Sequence, residues 1–331
     1  MNRASASDGN RRFVLADVGG THVRFAVLTG NRLGTVEHMS VRDHAQFADA
    51  LAAFLAGQSG RPPIRDAILA VAGAVEGERC TLTNSSWIVD GPELRARFGM
   101  QAIRLINDFE AIAWSLPHLP AGALRAIGGH KAVAQAPMAV LGPGTGLGVA
   151  AYVPHESGGI VLRSEGGHTT LAASSAREDA IVEKLRQQFG HVSAERALSG
   201  PGLENLYYAI ASLDAMTVPE RTAADITRAA IDGSCPVSRA ALDTFCALLG
   251  DVAGNFALAF AAQSGVFVAG GIIHHIRDYL PHSQFRARFE AKGRMTHYVA
   301  PIPVHLIVQH DTAFIGLRAL AAQRKKDAKD E

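Results

Sequence analysis

Twice in 331 residues an apolar run meets a turn of glycine and threonine and then resumes as a second apolar run. The first is Phe13-Val14-Leu15-Ala16-Asp17-Val18, then Gly19-Gly20-Thr21, then the β-like stretch Val23 to Leu28. The second runs from Ala139-Val140-Leu141 through Gly142-Pro143-Gly144-Thr145-Gly146-Leu147-Gly148 into Val149 to Val153. Each reads as a hairpin. Glycine lets backbone N–H groups approach an anion, and threonine adds a hydroxyl donor. One such turn alone is equally an ordinary Gly-Gly hairpin. Two of them, one opening each half, point to a duplicated α/β domain whose turns face one polyphosphate. The Walker pattern is absent, and the second turn leads into a strand rather than a helix, which disfavours a dinucleotide fold. Asp17, just ahead of the first glycines, is placed to hold a hydrated Mg²⁺.

Between and after these hairpins the pattern alternates strands with helices. His44 to Leu55 has helical spacing, Ala67 to Ala72 is a buried strand, Cys80 to Asn84 a short strand, and Gly91 to Phe98 a short helix. Ile103 to Ile106 is a strand that stops at Asn107-Asp108, after which Phe109 to Trp114 is helical. Ligands of open α/β sheets sit at the carboxyl ends of strands. Asp108 therefore reads either as a general base or as the cap of the following helix. The two roles are compatible, since a helix N-terminus favours the carboxylate anion. Pro117 and Pro120 mark a linker between lobes.

In the second half, Ser164-Glu165-Gly166-Gly167-His168-Thr169 offers a carboxylate and an imidazole, groups suited to vicinal hydroxyls. Glu195 reads as a further acceptor or as the partner of Arg196 on the surface. Ser199 to Gly202 is a turn, and Leu203 to Ile210 a helix. Ala241 to Phe260 is a long helix, apolar around much of its circumference and so largely buried. Val266 to Ala269 is a strand ending at Gly270-Gly271, which leaves room for a flat ligand such as adenine or for packing. Pro303 to Val308 is a last strand, and Thr312 to Ala322 a helix expected to return to the first lobe.

Composition narrows the class. Apolar residues make up 48 % and charged residues 19 %, as in globular proteins, and the net charge of +1 gives no footprint for nucleic acid. Cys80, Cys235 and Cys246 form neither a disulfide framework nor a metal-ligand spacing, which fits a reducing cytoplasm. No stretch reaches the roughly 18 continuous apolar residues of a membrane span. Met1 to Asn10 and Lys325 to Glu331 read as frayed tails.

Several runs in order carry a resemblance. They are Ala16-Asp17-Val18-Gly19-Gly20-Thr21, Ile106-Asn107-Asp108-Phe109, Leu141 to Gly148, Glu165-Gly166-Gly167-His168, Ser193-Ala194-Glu195-Arg196-Ala197-Leu198-Ser199-Gly200-Pro201-Gly202 and Ala269-Gly270-Gly271-Ile272. The chain resembles the bacterial-type glucokinases of the actin/hexokinase sugar-kinase superfamily. The resemblance implies an α/β, two-lobed, ribonuclease H-like fold with its active site in the interlobe cleft. It implies a tail over 1–12, a small domain of 13–118 plus 309–331, and a large domain of 119–308. It also implies phosphorylation of glucose at the 6-hydroxyl by ATP with Mg²⁺, and a homodimer. Asp108 would be the base; Asn107, Glu165, His168 and Glu195 would hold the other hydroxyls. Gly19, Gly20 and Thr21 would face the phosphates from one lobe, with Ala16 and Val18 beside them, and Gly144, Thr145 and Gly146 from the other. Asp17 would assist Mg²⁺ through water, and Gly270 and Gly271 would flank the adenosine. A kinase of a related hexose and a non-catalytic sugar sensor of the same fold are the alternatives.

Overall fold

The structure, a computed structural model, describes residues 11–330 except Asn84 and Ser157, with the backbone alone from Arg324 onward. In chain order the strands and helices are β1 (Arg12–Val18), β2 (His22–Thr29), β3 (Arg32–Leu33), β4 (Glu37–Ser40), α1 (Phe47–Ala56), β5 (Asp66–Val71), β6 (Val75–Glu76), β7 (Arg79–Thr81), β8 (Ile88–Asp90), α2 (Gly91–Phe98), β9 (Ala102–Asn107) and α3 (Asp108–Ser115). There follow β10 (Leu124–Ala126), β11 (Met138–Pro143), β12 (Leu147–Val153), β13 (Ile160–Ser164), α4 (Ala176–Phe189), α5 (Gly200–Leu213), α6 (Ala223–Ile231) and α7 (Pro236–Ala259). The chain ends with β14 (Gly265–Val268), α8 (Gly271–Ile276), α9 (Phe285–Glu290), α10 (Thr296–Val299), β15 (Val304–Ile307) and α11 (Thr312–Asp330). The described residues up to Leu119, together with those from His310 onward, form one compact unit, and Pro120–Gln309 forms a second.

In the first unit the main sheet runs β3-β2-β1-β5-β9, with β4 also paired to β2. β1 and β2 are antiparallel, whereas β1, β5 and β9 are mutually parallel neighbours. β1 and β5 are buried almost throughout because helices cover both faces, so their sequences lack the alternation of a half-exposed strand. On one side Phe25 stacks on Phe54 at 5.0 Å, and Phe47 meets Trp87 edge-on at 6.1 Å. On the other, α3 and α11 pack against the strands and each other.

The second unit repeats this plan. Its sheet runs β10-β15-β14-β11-β12-β13, with β13-β12-β11 antiparallel and β11-β14-β15 parallel. Read from β13, the five-strand order and directions match those from β3 to β9. This is the two-lobed actin-like α/β plan. α7 is the central core helix: 16 of its residues, from Val237 to Ala257, are buried. Among the described residues it is the helix long and apolar enough to cross a membrane, but most of that length lies inside this unit.

Three sequence expectations change. Residues 11 and 12 are not tail: Arg12 opens β1, and Arg11 Nε pairs with Asp66 at 2.8 Å. α11 does not stop at Ala322 but continues to Asp330, since Ala, Gln, Arg and Lys favour helix and neither Gly nor Pro interrupts them. The turn expected at Ser199 to Gly202 is the first turn of α5, where the Ser199 hydroxyl accepts the Gly202 N–H as an N-cap and a proline occupies the opening positions. The expected tail Met1 to Asn10, together with Asn84 and Glu331, lies outside the described residues.

Candidate active site

In the first unit the parallel register aligns Val18 with Val71 and Val71 with Asn107. The ends of β1, β5 and β9 therefore lie side by side, with the Gly19-Gly20-Thr21 turn following β1 and Asp108 following β9. Gly19 N–H closes the turn on the His22 carbonyl at 3.0 Å, and the Thr21 carbonyl accepts Val41 N–H at 3.0 Å. Asp17 sits opposite Arg24 in the hairpin, and its Oδ2 accepts Arg24 Nη1 at 2.7 Å. Burial raises the Asp17 pKa, and Arg24 opposes that rise.

The cap expected at Asp108 is supplied by its neighbour. Asn107 is the N-cap of α3: its Oδ1 accepts Phe109 N–H at 2.9 Å while its Nδ2 donates to the Gly73 carbonyl at 3.3 Å. Asp108 is the first helical residue, and its Oδ1 also accepts Phe109 N–H at 2.9 Å. The N–H groups at the helix end favour the anion as expected, but they do not decide the net shift. Burial first, and the charge of Asp17 second, push Asp108 up to about 7, outweighing the Phe109 N–H. A carboxylate poised there changes protonation in the range where a general base is most effective.

In the second unit the hairpin β11–β12 presents Gly144-Thr145-Gly146, with Thr145 exposed at the tip. Glu195 reaches this turn, its Oε2 accepting Leu147 N–H at 2.9 Å. His168 stands between two carboxylates: its Nε2 is 4.0 Å from Glu165 Oε2 and its Nδ1 is 4.0 Å from Glu195 Oε1. The three groups expected to hold sugar hydroxyls are thus gathered together, in a short 3₁₀ turn (Gly166–His168) and a second one (Ala194–Arg196). The surface pair of Glu195 with Arg196 does not form, because Arg196 lies over the Phe189 ring at 4.3 Å. Gly270, at φ 100°, joins β14 to α8; a Cβ there would strike the Pro143 carbonyl, so this residue can only be glycine-like in size and conformation. That places Gly270-Gly271 against the base of the glycine-rich turn.

Some participants were not picked out from sequence. Arg24 could have been: counting back across the Gly-Gly-Thr hairpin pairs it with Asp17. Cys80 is buried, and its thiol is pushed up to about 11 by burial and then by the charge of Asp108, which identifies it as a neighbour of that carboxylate. Nothing local marks that proximity.

The fit to a metal and a nucleotide can be judged from donors. Among the described residues no group of three or more His, Cys, Asp or Glu could hold a metal ion. A single half-buried carboxylate, Asp17, beside a glycine turn fits Mg²⁺ that keeps most of its waters and arrives with phosphate oxygens. Space is open where side chains of Gly144 and Gly271 would stand, as close approach of a nucleotide requires.

Comparison with known proteins agrees with this arrangement. A family model described as Glucokinase matches residues 14–324. The glucokinase of Paramagnetospirillum magneticum is 45 % identical over 315 residues, covering 94 % of this chain and 98 % of that one. That of Nitrobacter hamburgensis is 43 % identical over 308 residues, covering 93 % and 96 %. A crystal structure of glucokinase from an Antarctic psychrotroph superposes with a TM-score of 0.84 at 35 % identity, covering 95 % of this chain and 99 % of that one. A glucokinase from Balamuthia mandrillaris in complex with glucose shares the fold, with a TM-score of 0.81 at 20 % identity over 97 % and 96 % of the two chains. With the strand order, the two glycine-threonine turns and these matches in hand, the chain belongs to the glucokinase family.

Proposed function

We propose that Asp108 is the general base in the reaction that family membership gives this chain, the ATP-dependent phosphorylation of glucose at its 6-hydroxyl. The observation that carries this reading is the position of Asp108 at the carboxyl end of a parallel strand, with its pKa pushed up to about 7. The carboxylate accepts the proton of the hydroxyl as that oxygen attacks the γ-phosphorus. Phosphoryl transfer otherwise depends on positioning and charge neutralisation. Asn107, Glu165, His168 and Glu195 bind the remaining hydroxyls and orient the sugar. Backbone N–H groups of Gly19, Gly20 and Thr21 and of Gly144, Thr145 and Gly146 serve the phosphates, with Ala16 and Val18 setting the first turn and Gly270 and Gly271 taking the adenosine. Mg²⁺, when bound, would neutralise phosphate charge, and Asp17 would be the residue that holds it through water. The three unpaired cysteines support a cytoplasmic setting, and the homodimer stays a family expectation.

The test is a coupled ADP-release assay across a hexose panel, with glucose as the preferred acceptor. Asp108→Asn should keep glucose affinity and lower kcat by about 10²–10⁴-fold. A near-normal kcat in that variant removes Asp108 from the role of base, and the absence of any sugar-dependent ADP release removes the kinase reading.

A further inference from the structure

The run Ser193 to Gly202 holds the glycine-rich turn at two points. Gly200 N–H donates to the Gly144 carbonyl at 2.8 Å, and Glu195 Oε2 accepts Leu147 N–H at 2.9 Å. Glu195 is itself braced from behind, because the Ser199 hydroxyl donates to its carbonyl at 2.8 Å. Gly146 leaves the space this needs: a Cβ there would run into Glu195 Oε2. The second carboxylate oxygen of Glu195 points elsewhere, toward His168 Nδ1 at 4.0 Å. One carboxylate therefore has one oxygen on the phosphate-type turn and the other on the cluster of sugar-binding groups.

We propose that Glu195 is the positioning residue through which sugar binding and nucleotide binding assist each other. The inference rests on the roles assigned above to Glu195 and to the 144–146 turn. The Glu195 side chain is 31 % exposed, so burial alone does not fix its rotamers. A sugar hydroxyl on Oε1 fixes its rotamers, and the tether from Oε2 to Leu147 N–H then forms at lower entropic cost. The tether holds Gly146 and its neighbours in the conformation that receives phosphate. Coupling between two sites is reciprocal, so nucleotide tightens sugar by the same factor.

The experiment is calorimetric titration of a non-hydrolysable ATP analogue with Mg²⁺, with and without saturating glucose, and the reverse titration. The full-length protein should show a coupling factor of about five or more. Replacing Leu147 by its α-hydroxy acid removes the N–H that Glu195 holds and weakens, without removing, the Gly146 carbonyl that accepts Gly144 N–H; each ligand should still bind alone, and the coupling factor should fall to about one. Gly146→Ala, which drives a methyl against Oε2, should also abolish coupling, and its melting temperature reports whether the fold survives. Absence of coupling in the unmodified protein, or coupling that survives the Leu147 ester, overturns the proposal. Glu195→Gln keeps an acceptor for Leu147 N–H but changes the oxygen facing the sugar, so it should weaken glucose while retaining coupling. Unchanged glucose affinity in that variant would instead overturn the role of Glu195 as a sugar contact.

Discussion

At the scale of single residues, two acidic groups share one sheet edge but have different partners. Asp17 has a guanidinium on its carboxylate, from Arg24 at 2.7 Å. Asp108 has only backbone N–H and the Asn107 amide to favour its anion, against burial and the charge of Asp17. Burial raises both, but a guanidinium opposes the rise at Asp17 alone, so the two neighbouring carboxylates sit in separated environments. The sign of the pH dependence follows. In the role proposed for it, Asp108, with a pKa of about 7, must lose its proton to work, so kcat/KM should fall below that pH by roughly tenfold per unit. Asp17→Asn removes the second cause of the rise, so the acid limb of the residual activity should move to lower pH. The check is a pH profile of kcat/KM for both proteins; a limb that stays in place would mean that Asp17 does not act on Asp108.

Among elements, the second unit is tied together by charge as well as by its apolar core. Arg288 of α9 donates to Glu178 of α4 at 2.7 and 2.9 Å and also pairs with Asp251 of α7, which Lys292 joins at 3.3 Å. These side chains are between 9 and 20 % exposed. Burial pulls the Glu178 carboxyl upward, but Arg288 and the Ser174 N–H bring it below the usual 4.5. Its contribution is therefore present above 4.5 and is lost as pH falls from there through the lower native value. Breaking a buried pair leaves charge uncompensated, so Arg288→Met should destabilise by about 3–5 kcal/mol in urea unfolding at neutral pH. A loss under 1 kcal/mol would show the network to be dispensable. Such links also mark the limit of what sequence yields. The two glycine hairpins, the strand ending at Asn107 and the core character of α7 were legible because each is a local pattern. The division of labour between Asn107 and Asp108 was not, since both are good caps and only the backbone decides. Glu178 and Arg288 lie 110 positions apart, and Glu195 and Leu147 lie 48 apart. No spacing rule brings such residues together; the crossovers of the sheet do.

For the whole molecule, duplication of one sheet plan has an uneven consequence for folding. The second unit is a single stretch, Pro120–Gln309, whereas the first needs both ends of the chain. Its last element, α11, buries Phe314, Leu317, Leu320 and Ala321 to within 1 % exposure, on the side where α3 lies. The two helices approach so closely at Gly316 that a Cβ would collide with the Ala111 carbonyl. Without α11, apolar surface of α3, β1 and β5 is open to water, at roughly 25 cal/mol for each Å² uncovered. Pro120–Gln309 has the length of an ordinary domain and its own core, so expressed alone it should unfold cooperatively on heating. Residues 11–119 expressed alone should aggregate or lack a cooperative transition, and a peptide of residues 310–331 added in trans should restore one. The same peptide carrying Gly316→Val should fail, because the added side chain has no room against Ala111. Calorimetry and near-ultraviolet circular dichroism read all four samples. A cooperative melt for residues 11–119 without the peptide would show that the first unit closes its core without α11, and its discontinuity in sequence would then carry no folding cost.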